Sequence, residues 1–264
     1  MSEIREYANK QIGSALYLLE QYTTAPNEEV LHQLRVSLKK VKAVLDYLRT
    51  LHPKKIGSLR KKLQLVFHAV GSVREAQLRL KWLKEKRVNY LIKYAALDQK
   101  MKEEEELLFT QAKDHCKNLR TVRDKLDKYL KDVEGAFLLK YTVGLKEELA
   151  HQILSIEKKD WHELRKLIKQ LLYALHWVTE SHELKLLSVA EYKKLDLLQE
   201  KIGVWHDAID LLQWLTDEQF ILSKDALVKK QFAKVFALAQ KDIEVKEKAV
   251  AKQLQIIKKS ATKT

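Results

Sequence analysis

Only 6 glycines and 2 prolines punctuate 264 residues, and that scarcity restricts the possible folds more than any other feature. Glycine and proline make tight turns at low cost, so a chain this poor in them cannot supply the hairpins of a β-sandwich or the loops of an alternating α/β domain. Long helices remain. The apolar pattern agrees, because residues such as Leu31, Leu34, Leu38, Val41, Leu45 and Leu48 recur at three- and four-residue steps and so share one helix face. The spacing predicts helices near 2–22, 26–51, 55–86, 88–109 and 111–131, then near 137–154, 160–179, 183–217 and 224–256. Pro26 reads as a first-turn proline, His52-Pro53 as a helix stop, and Asp160 with Glu163 as a capping box. Glu103 to Glu106 reads as a solvated helix face, and Lys258 to Thr264 as a frayed tail.

Hydrophobic residues make up 46% of the chain and charged residues 33%, the balance of solvated amphipathic helices and not of a disordered polymer. The length suffices for two helical bundles that bury cores without disulfides or metals. The single cysteine, Cys116, excludes an intrachain disulfide and a cysteine zinc cluster, which points to a reducing compartment. The segment Met1 to Glu6 carries acids where a signal peptide would be apolar, and no run approaches the roughly 18 apolar residues that span a bilayer. The expectation is a cytoplasmic protein with no transmembrane segment. A net charge of +14 makes the folded chain repel itself, so nucleic acid, anionic lipid or a phosphate polymer would be a favourable partner.

A repeat organises the chain. His32-Gln33-Leu34-Arg35 with Lys39 returns 130 residues later as His162-Glu163-Leu164-Arg165 with Lys169. Gly71-Ser72-Val73-Arg74-Glu75-Ala76 returns after 132 residues as Gly203-Val204-Trp205-His206-Asp207-Ala208, and Trp82-Leu83 as Trp214-Leu215. Two landmarks at nearly one offset imply two halves of the same plan, 1–133 and 134–264. The predicted fold is all-α: two antiparallel helical bundles of about four helices each, related by internal pseudo-two-fold symmetry, with matching faces converging on one place.

On its helix, the set His32, Arg35, Lys39 and Lys42 falls within a sector of about 80°, beside the leucine stripe. His162, Arg165, Lys166 and Lys169 form the second copy, which Tyr173 and His176 extend. Solvated faces interleave acids one turn away, yet residues 30–45 contain none while holding five of Lys, Arg and His combined, Lys40 lying off the main sector. Asp160 as a cap would put Arg165 and Lys166 in or near the first turns, where the helix dipole disfavours cations and a bound anion would relieve them. Gly71 and Gly203 sit inside helical pattern, where glycine costs roughly 1 kcal/mol relative to alanine. Either helices approach closely there or the chain breaks; a break would present Arg74 and His206 toward the seams.

Other chemistries find little support. The nine histidines include no His-Glu-x-x-His and no pair four residues apart, so a metal site would need ligands from separate helices. There is no glycine-rich phosphate loop and no nucleophile elbow, and the glutamates offer no basis for choosing a catalytic pair. The five tryptophans, Trp82, Trp161, Trp177, Trp205 and Trp214, read as core packing and not as a base-stacking platform. A nucleic-acid-binding protein and a phosphate-handling enzyme with a histidine phosphoacceptor stay open as alternatives.

The run His32-x-x-Arg35-x-x-x-Lys39-Lys40-x-Lys42 with Gly71-x-x-Arg74-Glu75, followed by His162-x-x-Arg165-Lys166-x-x-Lys169-x-x-x-Tyr173 with Gly203-x-x-x-Asp207, resembles the CHAD domain, the conserved-histidine α-helical domain. The resemblance spans nearly the whole chain and implies one such domain over 1–264, made of two four-helix bundles. It implies a non-catalytic protein that binds inorganic polyphosphate in a central basic cavity lined by His32, Arg35, Lys39, Lys42, Arg74, His162, Arg165, Lys166, Lys169 and His206, with no cofactor. Implied partners are polyphosphate granules and triphosphate tunnel metalloenzymes. Two positions depart from the family pattern: Glu75 stands where an aspartate is usual, and Leu172 where an arginine commonly precedes the motif tyrosine. His176 is placed to compensate for the latter.

Overall fold

The computed structural model describes residues 3–88, 92–131, 133–178, 186–216 and 226–261. Among these residues it is all-α with no strand, and it divides into two compact units, Met1–Phe137 and Leu138–Thr264. The described helices are α1 (Glu3–Thr24), α2 (Glu28–Leu51), α3 (Pro53–Glu85), α4 (Ile92–Thr110), α5 (Ala112–Leu130), α6 (Gly135–Ser155), α7 (Trp161–Leu175), α8 (Val189–Thr216) and α9 (Ala226–Ala261). A short 3-10 turn, Lys158–Asp160, leads into α7. The helix beginnings expected near 183 and 224 lie outside the described residues, while Val88, where another was expected, is described outside any helix.

In the first unit α1 packs on α2 and α5, while α3 packs on α2, α4 and α5. All six residues of the leucine stripe on α2 are fully buried, each contributing roughly 1.5–3 kcal/mol by leaving water. Asn27, not Pro26, starts α2: its side chain accepts from the Glu29 and Val30 amides at 2.8 and 3.4 Å, and Pro26 lies outside the helix. His52 closes α2 and opens α3, with Pro53 at the first position, where a missing amide hydrogen costs nothing. The turn leaves α2 and α3 antiparallel: Arg35 reaches Gly71, and about three turns nearer the loop Asp46 reaches Arg60 at 3.1 Å. The acidic run on α4 is only partly solvated, since Glu105 accepts a hydrogen bond from the hydroxyl of the fully buried Tyr22.

In the second unit α8 packs on α7 and α9. The expected capping box is absent: the Asp160 side chain makes no cap hydrogen bond, and Glu163 accepts from Lys166 Nζ instead. The preceding 3-10 turn already occupies the approach to α7. The tail is less frayed than expected, because α9 continues to Ala261, Ile257 is buried, and Lys258 Nζ donates to the Leu154 carbonyl at 3.0 Å. Residues 262–264 lie outside the described residues.

A two-point ion pair, Arg5 with Asp127, helps tie α1 to α5. Arg5 donates through Nε and Nη2 to the two Asp127 oxygens at 2.5 and 2.6 Å, and Asn9 adds a third bond at 3.1 Å. These donors hold the Asp127 carboxyl well below the ordinary range, at about 2, the Arg5 hydrogen bond being the largest cause. A depressed carboxyl stabilises the fold above its unfolded value, and that contribution is lost as pH falls toward the folded one. Asp127→Asn should therefore lower the melting temperature at neutral pH, and the gap to wild type should close in melts taken near pH 2. A gap that stays constant with pH would assign the loss to packing.

Candidate anion-binding site

The antiparallel α2–α3 hairpin of the first unit and the α7–α8 pair of the second carry the two copies of the motif. Each pair sets its cations by register. In the second unit Trp161 of α7 meets Trp205 of α8 edge-on, ring centroids 5.0 Å apart, and both are buried. That core pair fixes the neighbours: the His162 and His206 rings lie 4.0 Å apart, and one turn further along α7 the Arg165 guanidinium lies against Gly203. The equivalent core positions in the first unit, Leu31 and Val73, are also fully buried, and there the Arg35 guanidinium lies against Gly71.

Neither glycine breaks its helix. α3 runs through Gly71 and α8 through Gly203 without interruption, and no described glycine has a positive φ. Close approach is the reason for both, and an arginine side chain makes it. A Cβ on Gly71 would stand 2.5 Å from Arg35 Nη1, and one on Gly203 would stand 2.6 Å from Arg165 Nη2 and 2.9 Å from its Nε. The partners of the two arginines differ. Arg165 Nε donates to the Gln199 carbonyl at 3.0 Å. Arg35 stacks 4.7 Å above the Phe67 ring centroid and has Nη2 at 3.7 Å from Glu75 Oε1. Phe67 and Gln199 each lie one turn before the glycine, a pair of positions that sequence reading passed over.

The remaining candidates sort by what holds them. Lys39 and Lys169 are half-buried, the latter with Nζ 5.6 Å from the Tyr173 ring centroid. Burial pushes the Tyr173 hydroxyl up to about 12, keeping it a protonated donor. Arg74 donates to the Gln77 side chain at 3.2 Å and stands 3.8 Å from Glu28, one turn before His32 on α2. His32 is exposed. Lys42 and Lys166 are drawn aside by acids of their own helices, Lys42 to Asp46 at 2.6 Å and Lys166 to Glu163 at 2.7 Å. Such exposed pairs are worth at most about 1 kcal/mol, so a polyanion can recruit both lysines. Leu172, the family's arginine position, is buried and spent on the core, and His176 is exposed at the end of α7.

The His162 and His206 rings are tilted at 36° to each other, and His206 bears on the charge of His162. His162 is shifted below the ordinary histidine value by burial first, then by His206 and Lys166, and its Nδ1 is buried without a hydrogen-bond partner. His206 faces Asp210, its Nδ1 3.0 Å from Oδ2. His162 is therefore neutral at pH 7. His206, Asp207 and Asp210 also offer ligand atoms within 4.8 Å of one another, all on α8 and not on separate helices as a metal site was expected to require. Both aspartates are exposed, an arrangement common on helix surfaces, and the trio is not assigned to an ion.

Among the described residues no helix is long and apolar enough to cross a membrane. No curated protein matches the sequence. Two solved structures share the fold: the CHAD domain from the plant Ricinus communis, at TM-score 0.73 and 18% identity over 95% of this chain and 91% of that one, and PptA from Streptomyces chartreusis, at TM-score 0.68 and 14% identity over 96% and 98%. At these identities the likeness carries the fold alone. The family model of the CHAD domain matches residues 6–216, most of the chain and both copies of the motif, so this protein belongs to the CHAD domain family.

Proposed function

We propose that this protein binds inorganic polyphosphate without transforming it, through the seams His32, Arg35, Lys39, Lys42 with Arg74 and His162, Arg165, Lys166, Lys169 with His206. The observation that carries this reading is that each unit lays its motif arginine across a helical glycine, half-buried, within a row of cations. A diffuse polycation needs no such seating. Polyphosphate presents about one charge per phosphate on a flexible chain with no base to read, so it calls for many cations and a few fixed two-point donors. Arginine supplies the fixed donors, lysine the mobile charge. Nucleic acid is the weaker fit, since four of the five tryptophans are buried and no stacking platform remains among them. The buried, lone Cys116 suits a cytoplasmic setting, where a triphosphate tunnel metalloenzyme or polyphosphate granules would be the natural associates.

The test is competition for labelled long-chain polyphosphate among unlabelled polyphosphate, RNA and duplex DNA, matched by phosphate concentration, with phosphate release assayed in parallel. Polyphosphate should displace the label at the lowest concentration and release none. Preference for RNA, or sustained phosphate release, would replace the proposal with the nucleic-acid or enzymatic alternative.

The histidine pair gives binding a pH dependence whose sign follows from its environment. Free His162 is held neutral by burial and by neighbouring positive charge; a bound phosphate raises its pKa, so binding takes up a proton. Affinity should rise as pH falls from about 8 to about 6, by at most about tenfold per pH unit for each proton taken up. Equal affinity across that range, measured by titration at constant ionic strength, would remove both histidines from the ligand's surroundings.

A further inference from the structure

We infer that Gly71 and Gly203 are positioning residues of the anion site: each is the seat against which a motif arginine of the neighbouring helix is held, Arg35 by its Nη1 tip and Arg165 by Nη2, Nε and Cζ, before the ligand arrives. This deepens the polyphosphate reading and rests on it for the identity of the anion. Glycine inside a helix is unfavourable, and neither position needs its backbone freedom, because no described glycine has a positive φ. Space is the remaining reason. The other helical glycines make the contrast, since a Cβ added to Gly13, Gly57 or Gly144 would meet nothing within 4 Å. Only at the two repeat positions would it strike an atom, and in both cases the atom belongs to the arginine of the His-x-x-Arg motif.

The consequence is a guanidinium with little freedom left to lose. Arg165 spends Nε on the Gln199 carbonyl and rests Nη2 against Gly203, so the N–H groups that remain are the ones to meet a phosphate oxygen. Arg35 is steadied by Phe67 beneath it and Glu75 beside it. An unseated arginine would have to be ordered by the ligand, at a cost to affinity. The two seats are not equal. At Gly71 an added Cβ collides with the tip of Arg35, which can swing away, whereas at Gly203 it would meet Nη2, Nε and Cζ at 2.6, 2.9 and 3.0 Å and expel the whole group from its hydrogen bond.

The experiment pairs each glycine variant with its arginine. Gly71→Ala, Gly203→Ala, Arg35→Ala, Arg165→Ala and the two matched double variants would be titrated with long-chain polyphosphate at fixed salt and melted. Gly203→Ala should weaken binding roughly tenfold and Gly71→Ala roughly threefold, with melting temperatures that hold or rise because alanine favours the helix. In the Arg165→Ala and Arg35→Ala backgrounds the matching glycine change should leave affinity alone. Wild-type affinity in either glycine variant, or an equal loss when the arginine is already gone, overturns the inference. Arg165→Lys keeps the charge but not the planar group, and should lose affinity as Gly203→Ala does; wild-type affinity there also overturns it. Should wild type fail to bind polyphosphate, the proposed function falls while the seat is still tested, by NMR of the arginine Nε–H in the free protein. A slowly exchanging Arg165 signal that is lost in Gly203→Ala supports the seat, and one that persists refutes it.

Discussion

Raising the salt concentration from about 50 to about 200 mM should weaken polyphosphate binding roughly 250-fold. Single-stranded polyanions lose affinity with a logarithmic slope near −0.7 per neutralised phosphate, so about six contacts give a slope of about −4, and a fourfold rise in salt gives that loss. The candidate side chains supply that many contacts. Arg35 and Arg165 are seated, Lys39, Lys169 and Arg74 lie along the same helix pairs, and His206 lies beside His162 on α8. Lys42 and Lys166 add to the count only if the ligand outcompetes Asp46 and Glu163, and weak exposed pairs permit that. Titrations at four salt concentrations would read the slope directly. A flat response would sink the electrostatic mechanism, and a slope much steeper than −4 would mean that the whole basic surface takes part.

Arg35→Ala and Arg165→Ala should each weaken binding by about 10- to 100-fold, the equivalent of about 1–3 kcal/mol for a charge-assisted two-point contact. Arg87→Ala and Arg123→Ala remove the same formal charge and should cost much less. Arg87 is exposed in the turn after α3, and Arg123 is exposed on α5 beside Asp124, so both act through the general field alone. The fold should survive every change, because neither motif arginine reaches its neighbour through the apolar core: Arg35 faces Phe67 and Glu75, and Arg165 faces a backbone carbonyl. Isothermal titration with parallel melts separates affinity from stability, and a melting temperature that holds or rises while affinity collapses marks a functional side chain. Equal losses in all four variants would describe a diffuse polycation and leave His-x-x-Arg as a folding motif.

The two copies are not functionally identical even though their positions correspond. Glu75 shares Arg35 and also lies 4.0 Å from Arg79, so the arginine of the first unit starts with a carboxylate that a phosphate must displace. Arg165 has a neutral carbonyl partner and keeps its full charge for the ligand. The second unit also carries the adjacent histidines, which the first replaces with His32 and Arg74. Proton uptake should therefore come mainly from the second unit, and fixed charge from the first.

Much of this protein was legible without coordinates, and the reason is that local regularities write themselves into spacing. The lack of turn residues and the three-and-four apolar rhythm led to an all-α chain whose leucine stripe on α2 is buried as the period required. The repeat placed His-x-x-Arg and its distant glycine at matching points, because divergence that preserves a fold preserves offsets. Spacing along one helix yields an angle, however, and says nothing about what the next helix presents at the same height. That register arises only when side chains from distant segments pack, as the buried Trp161–Trp205 pair sets it for α7 and α8. Tertiary structure alone therefore decided that Gly71 and Gly203 seat arginines instead of breaking helices, that the His162 and His206 rings meet, and that Asp160 leaves its capping role unfilled. The pairing of Lys42 with Asp46 and of Lys166 with Glu163 is by contrast local, four and three residues apart on one helix, and needs no neighbouring element.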